Sequence, residues 1–229
     1  MKINMKKITL TEKIISYLLA NYNYASGHGL MHGKMGGVLL FFLYARYSEK
    51  KIYEDYAEML MENIIKKMHE DVSINFETGL CGIGWCIEYM IKNKLINGDT
   101  DDILIDVDQK IMGRDPLRMD DYSVETGLGG ILLYVNSRIK SYQRDIPFDQ
   151  KYLKELEIKI NNIAVEDNVV KENIDEFNKI MAGNINYDYS LVLPDLLFGM
   201  LPTKIEKVSD FPLGIYNGLT GVILKRILL

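Results

Sequence analysis

Two kinds of apolar segment alternate along the chain. The first is apolar almost all round: GVLLFFLYARY at 37–47, IGWCIEYMIKNKL at 83–95, ILLYVNSRIKSY at 131–142 and VILKRILL at 222–229. Such segments predict helices buried on most sides. The second kind is striped. KKIYEDYAEMLMENIIKKM at 50–68 places Ile52, Tyr53, Tyr56, Leu60, Ile64 and Met68 at helical spacing, with charges opposite. TDDILIDVDQKI carries Ile103, Val107 and Ile111 on one face behind a Thr/Asp-rich start, and DQKYLKELEIKINNI does the same with Leu153, Leu156, Ile160 and Ile163. Near the N-terminus, Thr9 and Glu12 have the spacing of a capping box for EKIISYLLANY. Strand alternation is absent, so the pattern predicts an all-α chain of inner and outer helices taken in turn.

Each all-round apolar segment follows a Gly-x-x-Gly: Gly33 and Gly36, Gly79 and Gly82, Gly127 and Gly130, Gly218 and Gly221. The first glycines are 46, 48 and 91 residues apart. The last interval is about double the others, which places a glycine-less copy near residue 172. ENIDEFNKIMAG (172–183) then serves as its inner helix and YSLVLPDLLFGM (189–200) as its outer one, although Pro194 interrupts the second. A fixed period of this kind marks units that bury their faces only against neighbours. The chain opens with an outer-type helix and closes with an inner-type one, so its ends can pair and close a ring. The expectation is one domain over residues 1–229, an α/α toroid of about five inner/outer helix pairs. Its inner helix N-termini would direct their N–H groups into one shared mouth.

Superposing the copies aligns His32, Thr78, Thr126 and Asn217 just before the first glycine, with Glu77 and Glu125 one residue earlier in two of them. Thr78, Thr126 and Asn217 read first as N-caps. Histidine is a poor cap, which makes His32 the candidate acid/base residue. The binding mouth is then Glu77, Thr78, Glu125, Thr126 and Asn217.

Composition narrows the partners. The chain has 229 residues, 48% hydrophobic and 26% charged, with five prolines and a formal charge of −5. Scattered lysines on an acidic chain give no footprint for nucleic acid. No run approaches the roughly 20 apolar residues of a membrane span, and the lysine-flanked N-terminus has only a minimal apolar core. Two cysteines, Cys81 and Cys86, fit a reducing compartment, and the expected location is the cytoplasm. The aromatic residues Phe41, Phe42, Tyr44 and Tyr47 read as core. Asp99, Asp101, Asp102, Asp106 and Asp108 lack the glycine and terminal glutamate of a calcium loop and read as a charged helix start. Among possible metal ligands, His28 and His32 are four residues apart in a glycine-rich loop, His69 ends an outer helix, and Cys81 lies inside the second Gly-x-x-Gly.

The repeated Gly-x-x-Gly, and GLMHGKMGGVLLFFLYA in particular, resembles the lanthionine synthetase C-like family, the cyclases of lanthipeptide biosynthesis. The resemblance implies an α/α toroid. It also implies addition of peptide cysteine thiols to dehydrated residues, zinc held by two cysteines and a histidine, and an acid/base role for His32 in MHGKMGG. The family has seven units, and this chain is roughly half its length. Its Trp-Cys-x-Gly and Cys-His-Gly zinc motifs are missing: Trp85-Cys86 has no glycine two places on, and no Cys-His pair occurs. The expectation is a zinc-less accessory or peptide-binding member, with no cofactor. Its partners would be a precursor peptide and other peptide-maturation enzymes, with a homodimer possible if the ring is open. One alternative is an active cyclase with a reduced metal site, using His32 as acid/base and Cys81 as ligand or thiolate. Another is a carbohydrate-active toroid working with Glu77 and Glu125 as paired carboxylates.

Overall fold

A computed structural model describes residues 9–68, 72–141, 146–186 and 192–228. The described chain is helical, without a strand among those residues: α1 (Leu10–Asn21), α2 (Lys34–Ser48), α3 (Lys51–Lys67), α4 (Leu80–Lys92), α5 (Thr100–Ile103), α6 (Ile105–Met112), α7 (Leu128–Ser141), α8 (Gln150–Asn161), α9 (Asn168–Met181) and α10 (Leu219–Leu228). No described helix is long and apolar enough to cross a membrane.

The predicted caps form where short polar side chains precede apolar runs. Thr9 accepts from the Glu12 N–H at 3.1 Å while Glu12 accepts from the Thr9 N–H at 2.7 Å, closing the capping box of α1. Asp149 and Asp167 accept from the third N–H of α8 and α9 in the same way. The all-round apolar segments are buried as expected, with α2 covered from Met35 to Phe42 and α4 from Leu80 to Met90.

α10 packs on α2, α2 on α4, α4 on α7, and α7 on α9. α3 covers α2, α1 covers α10, and α5 and α6 lie against α4. The chain's last helix therefore sits beside its first two. Tyr22, wholly buried after α1, donates its hydroxyl to the Leu213 carbonyl at 3.0 Å and accepts from Thr220 at 2.6 Å. Arg226 on α10 donates to Thr11 on α1 at 3.0 Å.

Four expectations need correction. Ile52, in the first turn of α3, and Tyr47, in the last turn of α2, are exposed, as ends of helices commonly are. The 100–111 helix is broken at Leu104, whose buried side chain holds the junction between α5 and α6. The fourth inner helix starts at Asn168, earlier than expected, because Asp167 caps it. Among the described residues of the predicted fourth outer helix there is a single 3-10 turn, Asp195–Leu197. Pro194 offers no N–H, and Gly199 turns the chain with φ +57°. Residues 189–191 of that segment, and His69, lie outside the described residues.

One buried polar cluster ties α7 to α4, α5 and α6. Arg138 on α7 is 1% exposed. It donates to Asp108 on α6 at 2.9 Å, to Glu88 on α4 at 3.0 Å and to Asp101 on α5 at 3.1 Å. Tyr134 donates to Asp108 at 2.6 Å. Burial raises the Glu88 carboxyl to about 7, against the opposing pull of Arg138 and of bonds from Ser141 and Thr100. Burial raises Asp108 as well, against the Arg138 and Tyr134 bonds.

Candidate functional site

The loops that enter the glycine-bearing helices are built alike. In each, the first two helical N–H groups are taken by carbonyls of the helix's own loop. Lys34 and Met35 donate to Gly27 and His28, Leu80 and Cys81 to Ser73 and Ile74, Leu128 and Gly129 to Asp121 and Ser123, Leu219 and Thr220 to Pro212 and Leu213, at 2.8–3.3 Å. These donors are not directed outward, which corrects the expectation of free helix N-termini facing a mouth: a loop folded back on its own helix satisfies them first. The second glycine is what permits the fold-back. A Cβ at Gly36 would stand 2.6 Å from the Leu30 carbonyl oxygen, and Gly82, Gly130 and Gly221 abut the equivalent oxygens of Phe76, Val124 and Ile215.

Neighbouring loops are joined by a repeated backbone rung. Ile215 and Tyr216 donate to the Met31 carbonyl at 2.8 and 3.1 Å. Met31 in turn donates to the Glu77 carbonyl, and Phe76 and Glu77 both donate to that of Glu125, each at 3.0 Å. The spatial order of loops is thus last, first, second, third, with the end of the chain placed ahead of its beginning.

The rungs set His32, Glu77, Thr78, Glu125, Thr126 and Asn217 along one row. His32 Nε2 meets Glu77 Oε1 at 2.9 Å, a pair formed between adjacent repeats, with side chains 42% and 28% exposed. On its other side the His32 ring stands edge-on to Tyr216 at 5.5 Å between centroids. Tyr216 occupies the place of Glu77 and Glu125 in its own repeat, a position where the aligned copies carry a carboxylate twice and an aromatic ring once.

Thr78 and Thr126 are not N-caps. Gly33 and Gly79 take the cap positions of α2 and α4, while Thr78 donates to Asn75 at 3.0 Å and Thr126 to Asp121 at 2.5 Å. The Thr126 and Ser123 bonds hold the Asp121 carboxyl below its ordinary range. Asn217 sits at φ +54° and accepts from the Met200 N–H at 2.6 Å, so it anchors a loop instead of capping α10.

The zinc implied by the resemblance needs thiolates. Cys81 and Cys86 are fully buried, and burial pushes both thiols well up, so neither offers a thiolate at the row. No group of three or more His, Cys, Asp and Glu suited to a metal stands together among the described residues. The described residues do not fit such a centre. What the row does offer is an accessible imidazole–carboxylate pair beside an aromatic edge, flanked by two exposed threonines held by their own loops.

The chain has no match among models of known protein families, curated proteins or solved structures.

Proposed function

We propose that the chain is a lanthionine synthetase C-like α/α toroid without the family's zinc-ligand motifs, and that it binds a peptide across its row of Gly-x-x-Gly loops as an accessory to peptide modification. The observation that carries this reading is the rung series, in which the last repeat precedes the first. A series whose end feeds its own beginning is what ring closure requires of a repeat chain. The His32–Glu77 pair and Tyr216 supply the polar and aromatic contacts, and the exposed hydroxyls of Thr78 and Thr126 extend them along the row.

The test is selection of a displayed library of random peptides on the full chain, repeated with His32→Ala and Glu77→Gln. Enriched peptides that lose binding in both variants support the proposal. No enrichment, or enrichment indifferent to both substitutions, overturns it. The same chain incubated with a synthetic peptide carrying dehydrobutyrine and cysteine separates the cyclase reading, since loss of free thiol would mark catalysis. Glycan binding sensitive to Glu77→Gln and Glu125→Gln would instead favour the carbohydrate reading.

A further inference from the structure

A cleft of about 480 Å³ opens at the far ends of α2 and α4, where α3 begins. α2 is 15 residues long, which puts this cleft about 22 Å from the loop row at the helix N-termini. Its walls carry Arg46, Lys50, Lys51 and Lys94 against Glu49 and Glu54, a local excess of positive charge on a chain of net charge −5. Phe42 and Leu95 form its apolar floor, and Asn97 adds an amide.

The cations are not equally committed. Lys51 pairs with Asp55 at 2.7 Å. Arg46, an exposed residue, donates from one terminal nitrogen to the Asn93 carbonyl at 3.0 Å, which ties the guanidinium across the two helix ends. Lys50 and Lys94 have no carboxylate partner among the described residues. Lys94 also sits at φ +56°, a left-handed position at a helix end where glycine is the usual occupant. Cations complement helix C-termini in general, but an anchored guanidinium and two ammonium groups without a carboxylate partner lining one concave polar surface supply the charge and the N–H donors that a compact anion requires. The volume falls within the range of small-molecule sites.

We infer that this cleft binds a phosphate-bearing small molecule, with Arg46 forking two phosphate oxygens and Lys50 and Lys94 closing on the others. The site is independent of the peptide-binding reading.

Isothermal titration of the full chain with inorganic pyrophosphate, and separately with ADP, tests it, with sulfate at matched ionic strength as reference. Both anions carry the shared phosphate chemistry, and tighter binding of ADP would identify a nucleotide as the source. Either anion should bind in preference to sulfate. The exposed double reversal Lys50→Glu/Lys94→Glu should weaken binding by about tenfold or more for each ammonium group removed, while Lys204→Glu, outside the cleft, should leave it unchanged. A circular-dichroism melt confirms that each variant is folded. Absence of binding, sulfate binding equally well, binding indifferent to the double reversal, or capture of an oligoglutamate peptide with no binding of pyrophosphate or ADP would each overturn the inference.

Discussion

Glu88→Gln should make the protein's stability less sensitive to pH, and the structure fixes both direction and size. Glu88 is 1% exposed and faces Arg138 in the joint between α4, α5, α6 and α7. Its carboxyl is raised from its ordinary value of 4.5 to about 7, chiefly by burial, so the folded state retains a proton that the unfolded chain has released. Stability from this group is therefore full below pH 4.5 and drains away as pH rises through 7. The gap between the two values corresponds to about 3 kcal/mol. Glutamine copies the protonated shape and can still accept from Arg138 through its carbonyl oxygen. Urea unfolding of wild type and variant across a pH series reads the difference directly. The two should be close at about pH 5, and the variant should gain on wild type by up to about 3 kcal/mol at about pH 9. Asp108 is raised in the same sense and remains in both proteins, so the subtraction isolates Glu88. Parallel pH profiles would show that Glu88 ionises in the ordinary carboxylate range and that the buried joint is not assembled as described.

Arg138→Met should destabilise by about 3–5 kcal/mol in urea unfolding at neutral pH, because it leaves buried carboxylates uncompensated, and by less in acid where they hold protons. Gly82→Ala should cost about 1–3 kcal/mol net of its helix-propensity gain, since the new Cβ runs into the Phe76 carbonyl. Gly113→Ala, whose Cβ would meet only carbonyl oxygens at 3.3 and 3.6 Å, should change the melting curve by less than about 1 kcal/mol. Tyr22→Phe should cost about 1–2 kcal/mol by stranding Thr220, seen as a lower urea midpoint. His32→Ala should cost under about 1 kcal/mol, as its pair with Glu77 is partly solvated, and a loss of several kcal/mol would mark the histidine as structural.

The helices were legible because burial writes a period into the chain. The all-round apolar segments became α2, α4, α7 and α10, and the striped ones α3 and α8. His32 stood out because it broke a capping pattern, and the structure does set it beside Glu77 of the next repeat. What the pattern could not convey was which polar groups satisfy one another across repeats. Thr78 and Thr126 have the identity of caps, yet their loops supply Asn75 and Asp121 as nearer partners. Arg138 lies inside an apolar segment, where the period gives no partner for its charge. Its partners come from three separate helices, up to 50 residues away in the chain, a distance that no local spacing reveals.

The fourth repeat shows what the glycines are for by lacking them. In the last, first and second copies one loop does two jobs: it folds back over its helix, and it touches the glycine of the following repeat. Leu30 reaches Gly82 and Phe76 reaches Gly130 in this way, and Ile215 reaches Gly36. The fourth repeat divides the jobs. α9 packs on α7, with Val170 against Gly129, and needs no tight entry because Asp167 caps it by side chain. Contact with the last repeat passes to a separate stretch, where Leu201 lies against Gly221 and the Phe198 carbonyl accepts from the Asn217 N–H at 3.0 Å. Where Asp167 caps the helix by side chain, the entry loop does not have to fold back over the helix start, and the close carbonyl approach that requires glycine in the other copies is not needed. The doubled interval between Gly127 and Gly218 is then the sequence trace of one repeat whose cap and whose neighbour contact come from different parts of the chain.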